Sequence, residues 1–314
     1  MQWLFHAAII AALTFAAYFN SLHTPFLFDD EVTIRHHKSV QSSTYPILSA
    51  RGVTYNSYRG QTEPWHYHLV NVSLHAVNSV LVYAITGGSI WAGLFFTLHP
   101  IQTESVTYIT GRAELLAAMF VLMGVYLCLK NRPYIALALY PLAMLSKESA
   151  IVMPILLWLM LRSKPQFKPW IWAIAVLVML SCAGIWTMLN GAASFLTTIP
   201  ASLTYLHAQL TVLLHYLGLT LWPTGQYQNA DPIIHPTTIS TIAGVAALAA
   251  LSLGAIKAKS APIRLGLLWF LIALAPTSSI VPIPDLMAEH RLYTPMIGVA
   301  MVFGSLFSRA RGNV

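Results

Sequence analysis

The chain has 314 residues, of which 57% are hydrophobic and only 9% are Asp, Glu, Lys or Arg, against about 25% charged residues in an average soluble domain. So few charges could not cover two water-facing domains, and a mean hydropathy of +0.65 with repeated apolar runs of about 15–20 residues places the chain in a bilayer. The net charge of +7 comes from 17 basic and 10 acidic residues, and in a membrane protein the informative question is which face carries each one.

The N-terminal stretch MQWLFHAAIIAALTFAAYFNS lacks a basic n-region and an A-x-A site, so it is expected to be a retained first span over 3–19 and not a cleaved signal. Further spans are predicted at 67–86, 88–99, 113–129, 133–145, 149–161, 170–189, 237–256, 265–281 and 292–308. The stretch 203–222 is also apolar, but it carries His207, Gln209 and His215 and ends in Trp222-Pro223. Counting it gives eleven spans; leaving it out gives ten. With a cytoplasmic N-terminus, the short basic loops Lys130/Arg132 and Arg162/Lys164/Lys168 fall inside, as the positive-inside rule requires. Lys257/Lys259/Arg264 and Arg309/Arg311 join them only if 203–222 lies in the outer interface, where its polar positions suit an interfacial helix. The expectation is an all-α polytopic bundle of about ten spans, forming one transmembrane domain over 1–314. Its outer loops are 20–66 and 190–236, the latter with the interfacial helix, and both termini are cytoplasmic. Cys128 and Cys182 each sit inside an apolar run, which excludes a disulfide framework or metal-type spacing.

That topology puts ten basic residues and no acid inside. All ten carboxylates and seven basic residues lie outside. Acids have little influence on insertion, so their segregation needs another reason. The segments flanking Ser146-Lys147-Glu148-Ser149 have about 13 residues each, or about 20 Å of helix, well short of a roughly 30 Å hydrocarbon core. The span ending at His99-Pro100 is short in the same way. Charged turns at that depth are tolerated where they line a protein cavity, so an outward-facing polar cavity is expected.

Four outer motifs carry the charge. Asp29-Asp30-Glu31 follows the first span, and crowding three carboxylates favours proton uptake by one of them, as a general base needs; the plainer reading is an acidic helix cap. In His99-Pro-Ile-Gln-Thr-Glu104 through Arg112-Ala-Glu114, Arg112 is suited to an anion while His99 and Glu104 face the cavity; the plainer reading is a solvated loop. Lys147-Glu148 is either a self-neutralising pair or a phosphate contact with its counter-ion. Glu289-His290-Arg291 precedes the last span, and Arg291 fits bidentate phosphate recognition or, with Tyr293, an interfacial anchor. His68, Asn71, His75 and Asn78 share one helical face and read as a polar interhelical seam, not a metal set. No phosphate-binding glycine loop and no nucleophile elbow is present.

Together FDDE, HPIQTESVTYITGRAELLA, LSKES, RLGLLWFLIALAPTSSI and AEHRLYTP resemble the membrane domain of the transmembrane-and-TPR protein O-mannosyltransferases, in particular bacterial relatives, within the GT-C glycosyltransferase superfamily. The likeness runs from about residue 18 to 308, and the TPR repeats usual in that family do not follow. The resemblance implies a GT-C-like fold in a bacterial inner membrane. It also implies an inverting transferase moving a sugar from a polyprenyl-phosphate donor to an acceptor hydroxyl, on protein Ser/Thr or another glycan, at the outer face. The base is then Asp29 or Asp30, with Glu31 in the same acidic set. Arg291, Lys147, Arg112 and His290 become donor-phosphate ligands; His99, Glu104, Glu114, Glu148 and Glu289 line the cavity. No nucleotide is required; divalent-metal dependence, an oligosaccharide-diphosphate donor, a partner replacing the repeats and the identity of the sugar stay open. A flippase or transporter would need a polar path to the cytoplasmic side or an inverted repeat, and the inner half shows neither. A scaffold that had lost activity would not need its acidic and arginine motifs intact.

Overall fold

A computed structural model of the chain describes residues 1–27, 30–31, 34, 51–59, 63–161, 199–226, 236–278 and 285–311. An apolar stretch inside a bilayer has no water to satisfy its backbone, so it closes its hydrogen bonds within itself as helix. The described residues accordingly contain helices and turns and no strand. In chain order these are α1 (Gln2–Tyr18), α2 (Gly52–Asn56), α3 (Pro64–Ile85), α4 (Ile90–Leu98), α5 (Thr103–Thr107), α6 (Arg112–Leu129), α7 (Pro133–Ala138), α8 (Tyr140–Ser146), α9 (Met153–Leu161), α10 (Ile199–Leu221), α11 (Thr238–Lys257), α12 (Ala261–Leu274) and α13 (Tyr293–Arg311). Single 3₁₀ turns at Phe19–His23, Pro100–Gln102, Ile109–Gly111, Glu148–Val152 and Glu289–Leu292 join them.

Four described helices are long and apolar enough to cross a bilayer: Gln2–His23, Pro64–Ile85, Ile109–Leu129 and Thr238–Lys257. Pro133–Ser146 and Glu148–Met160 are shorter, as the arithmetic around Lys147 anticipates, and α4 stops after nine residues at His99. The stretch expected at 265–281 runs instead from Ala261 to Leu274. A turn takes over at Ala275, where Pro276 cannot continue the helical bonding pattern. The ambiguous 203–222 forms one unbroken helix of 23 residues, and the span expected at 170–189 lies outside the described residues.

Lipid is as apolar as leucine, so helix association in a bilayer rests on close contact and buried polar bonds more than on expelled water. The α12–α13 crossing shows the first device. A Cβ on Gly266 would run into the Gly298 carbonyl oxygen, and a Cβ on Gly298 into that of Gly266. Gly244 of α11 lies equally close to the Leu210 carbonyl of α10, while one face of α11 is open, with Ile239 81% and Ile256 73% exposed. Such a face is stable against acyl chains.

The seam on α3 shows the second device. His75 Nε2 lies 3.2 Å from the Thr97 carbonyl, to which it donates, and its Nδ1 lies 2.8 Å from the Tyr293 hydroxyl. That hydroxyl accepts from Asn78 Nδ2 at 3.0 Å, and the same amide donates to the Leu115 carbonyl at 3.0 Å. One buried face of α3 is thereby tied to α4, α6 and α13, as expected of an interhelical polar seam.

Replacing Gly298 by valine should force α12 and α13 apart and cost about 1–3 kcal/mol by overpacking. Gly218→Ala, with open space around it, should be neutral or slightly stabilising. Thermal unfolding of both variants in the same detergent checks the contrast, and equal midpoints would contradict the close crossing.

Candidate active site

The helices sort the charges between two ends. One end gathers Trp3, Ala84, Gly87, Leu129 and Lys130 around one cleft. Thr86, Ser89, Met160, Pro262 and Ser308 gather at the same end around another. The opposite end holds the loop after α1, the starts of α3 and α6, the turn at Lys147 and the Glu289–Leu292 turn. Every described carboxylate belongs to that second end.

Its centre is Arg112, fully buried at the first position of α6. Nε donates to Asn71 Oδ1, Nη1 to the Ser57 carbonyl and Nη2 to the Tyr67 carbonyl, each at 2.8 Å. The guanidinium also lies over Tyr58, 4.7 Å from the ring centre, and 5.5 Å from that of Tyr67. Burial pushes the Tyr58 phenol up, against the pull of Arg112, so the ring faces the cation in its neutral form. Asn71 in turn donates to the Val106, Tyr108 and Ile109 carbonyls. The following turn presents the Thr110 N–H to Asp30 Oδ1 at 3.1 Å, and Asp30 Oδ2 accepts from the Leu27 N–H at 3.2 Å. Asp30 is 1% exposed. Gly111 permits this turn because a Cβ there would strike the Ser105 carbonyl. Glu31 is half-buried beside Asp30, and Asp29 lies outside the described residues.

A narrow cleft opens between α6, the Glu148–Val152 turn, α12 and the start of α13, lined by Glu114, Ser149, Thr277, Arg291 and Thr294. Lys147 Nζ sits 2.7 Å from Glu114 Oε1, with the two side chains 12% and 4% exposed. Arg291 Nη2 donates to the Asp285 carbonyl at 2.8 Å and Nη1 to the Leu286 carbonyl at 3.5 Å, so its fork meets backbone carbonyls and no carboxylate in those bonds. Arg291 and Glu114 thus line the cleft, with the Lys147 ammonium joined to it through Glu114, an arrangement suited to an anion. Glu148 turns away and takes Arg51 in a two-point pair, Nη2 to Oε1 at 2.7 Å and Nε to Oε2 at 3.2 Å. At 46% and 58% side-chain exposure such a pair contributes at most about 1 kcal/mol.

Glu104, 6% exposed, accepts from the His290 backbone N–H at 2.7 Å and from His290 Nδ1 at 2.8 Å. His99 caps the start of the next turn. Its Nδ1 accepts from the Ile101 N–H at 3.3 Å, and its Nε2 donates to the Thr220 carbonyl at 3.1 Å. Glu289 is buried at 2%. Among the described residues no group of three His, Cys, Asp or Glu gathers as a metal site.

The structure therefore brings Glu114 and Arg291 to one cleft, Lys147 to Glu114, and Glu104 to His290. It gives His99 and Arg112 bonds to the protein's own backbone and turns Glu148 toward Arg51. Thr110, Tyr58, Tyr67 and Arg51 support the site and carry no signal in a linear reading.

The Mus musculus protein O-mannosyl-transferase TMTC2 is 32% identical to this chain over 153 residues, covering 39% of the chain and 18% of that protein. The Homo sapiens protein O-mannosyl-transferase TMTC3 is 34% identical over 145 residues, 36% of the chain and 16% of that protein. The Caenorhabditis elegans protein O-mannosyl-transferase F38B6.6 is 28% identical over 182 residues, 46% and 26%. The matched part is thus about a sixth to a quarter of these curated relatives' length, and less than half of this chain, narrower than the likeness expected over 18–308. No protein-family profile matches the chain, and no solved structure matches it.

Lys147→Met leaves the buried Glu114 carboxylate uncompensated and should destabilise the protein by about 3–5 kcal/mol, with most of the loss recovered when Glu114→Leu is added. Arg112→Lys withdraws a planar fork from three acceptors. At about 1–3 kcal/mol for each acceptor left bare, it should destabilise more than Arg51→Ala does. Unfolding curves in one detergent rank the variants.

Proposed function

We propose that the chain is the GT-C-like membrane domain of an inverting glycosyltransferase. It moves a sugar from a polyprenyl-phosphate donor to an acceptor hydroxyl, on protein Ser/Thr, at the outer face of a bacterial inner membrane. The observation that carries the reading is the cleft bordered by Arg291 and the Lys147–Glu114 pair, at the same end of the bundle as the buried Asp30. The similarity to proteins named O-mannosyl-transferases supports it. The end that holds Lys130 and no described carboxylate then faces the cytoplasm, with both termini there, in keeping with the positive-inside rule.

In this reaction the acceptor oxygen attacks the anomeric carbon, and its proton passes to the carboxylate of Asp29 or Asp30. The bond from the anomeric carbon to the phosphate oxygen breaks, and the lipid phosphate leaves with the electron pair. Arg291 and Lys147 stabilise that growing negative charge. Lys147 keeps two N–H donors beyond the one given to Glu114, so it can meet a phosphate without abandoning its partner. Attack from the face opposite the leaving group inverts the anomeric centre. Arg112, with its donors committed to carbonyls, holds the loop that carries the acid.

Membranes containing the chain, supplied with a polyprenyl-phosphate hexose and a Ser/Thr peptide, test the reading. Either Asp29→Asn or Asp30→Asn should lower transfer about 10²–10⁴-fold, and Arg291→Gln about 10²–10³-fold. Undiminished transfer by both Asn variants would sink the assigned base.

A further inference from the structure

At the site end His290 combines an unpartnered ring nitrogen with an accessible side chain, whereas the unpartnered Nδ1 atoms of His66 and His68 are buried. His99 and His75 engage both of theirs with protein groups, and His68 gives its Nε2 to the Thr24 carbonyl at 3.0 Å. The His290 ring is gripped on one edge only. A carboxylate accepts hydrogen bonds and does not donate them, so the 2.8 Å contact to Glu104 Oε1 makes Nδ1 the protonated nitrogen. The second oxygen holds the residue's own backbone N–H at 2.7 Å, which removes the freedom of the ring to slide or flip. The His290 carbonyl is fixed as well, accepting from Ser105 Oγ at 3.4 Å. The His290 side chain remains 26% accessible, and its Nε2 has no hydrogen-bond partner among the described residues. Its neighbour Arg291 lines the cleft.

We infer that Glu104 is a positioning residue that holds His290 as the Nδ1–H tautomer, so that the bare Nε2 accepts a hydrogen bond from a substrate hydroxyl. The ligand chemistry is an alcohol O–H, which the donor sugar and the acceptor side chain both carry. A phosphate oxygen does not fit, because it brings a lone pair to a lone pair. The pattern is that of a second carboxylate orienting an imidazole, in which the bond at one nitrogen sets what the other can do. This function rests on the transferase reading; the tautomer does not.

Two nitrogen spectra and two substitutions test it. With ¹⁵N-labelled histidine in the full chain in lipid nanodiscs, assigned by loss of the signal in His290→Asn, His290 should appear as the neutral Nδ1–H form. In Glu104→Gln the amide oxygen still accepts the backbone N–H, while the amide NH₂ now donates to Nδ1 and drives the ring to Nε2–H. A wild-type ring that is doubly protonated or Nε2–H overturns the proposal, and so does a tautomer unchanged by Glu104→Gln. Adding a short-chain polyprenyl-phosphate hexose, or separately a Ser/Thr peptide, should shift the Nε2 resonance. Whichever does so identifies the source of the hydroxyl, and a response to neither overturns the inference.

In transfer assays His290→Asn keeps a donor for Glu104 but ends short of Nε2, whereas His290→Gln places an amide oxygen near that position. The proposal expects at least a tenfold loss for Asn and a smaller loss for Gln. A purely structural tether predicts the reverse order. If wild-type membranes transfer nothing while Nε2 still responds to the donor, the transferase reading falls and the Glu104–His290 device stands.

Discussion

The outer end of this protein is organised by the need to satisfy one buried guanidinium. Arg112 cannot lose its charge at any relevant pH and cannot reach water, so each donor must meet an acceptor of the protein. The acceptors come from three places: the Ser57 carbonyl in the first loop, the Tyr67 carbonyl in α3, and the Asn71 side chain one turn on. Meeting all three fixes the first loop against α3 and the start of α6. Asn71 then spends its amide on the carbonyls of the 106–109 turn. That turn presents the Thr110 N–H to Asp30. The acid's position is thus a consequence, two bonds removed, of where the arginine found its acceptors.

The same economy explains why the neighbouring helices are short. A helix that crosses the whole core leaves its termini in water, where charge is inexpensive. The turn at Lys147 joins helices of about half that depth, and its charges meet low dielectric unless the protein supplies partners. It supplies Glu114 to Lys147 inside the cleft and Arg51 to Glu148 at the rim. Two adjacent residues of opposite sign therefore do not neutralise each other. Each faces a different element, and the turn is pinned on both sides.

Much of the fold was legible because hydropathy along a chain measures the property that decides helix placement in a bilayer. The predicted 3–19, 113–129 and 237–256 match the helices Gln2–Tyr18, Arg112–Leu129 and Thr238–Lys257 within about a residue. The misplaced end at 281 was an apolar run continuing past Pro276, where composition and backbone chemistry disagree. The gathering of the described carboxylates at one end was legible too. Partner choice was not. Glu104 and His290 stand 186 residues apart, and nothing local tells a cavity-lining glutamate from one that orients a ring. Arg112 was read as an anion ligand because sequence shows the donors of a side chain but not the backbone carbonyls waiting for them.

If the cleft takes a phosphate, as proposed, it faces an opposing requirement before that phosphate arrives. Two bare cations in a dry groove would repel each other and pay desolvation with no return. Pairing Lys147 with Glu114 lowers that cost while leaving ammonium donors unused, and Arg291 rests on the Asp285 and Leu286 carbonyls. The cleft then carries one net positive charge from these three groups, and that charge rests on backbone carbonyls. In the proposed reaction the arriving donor phosphate replaces weak backbone contacts to Arg291, not the buried ion pair. The positive field strengthens in effect only as the leaving phosphate gains charge, which is the direction catalysis requires. A chain with so few charges can hold such a site because Arg112, Lys147 and Glu104 each meet a partner within that end of the bundle.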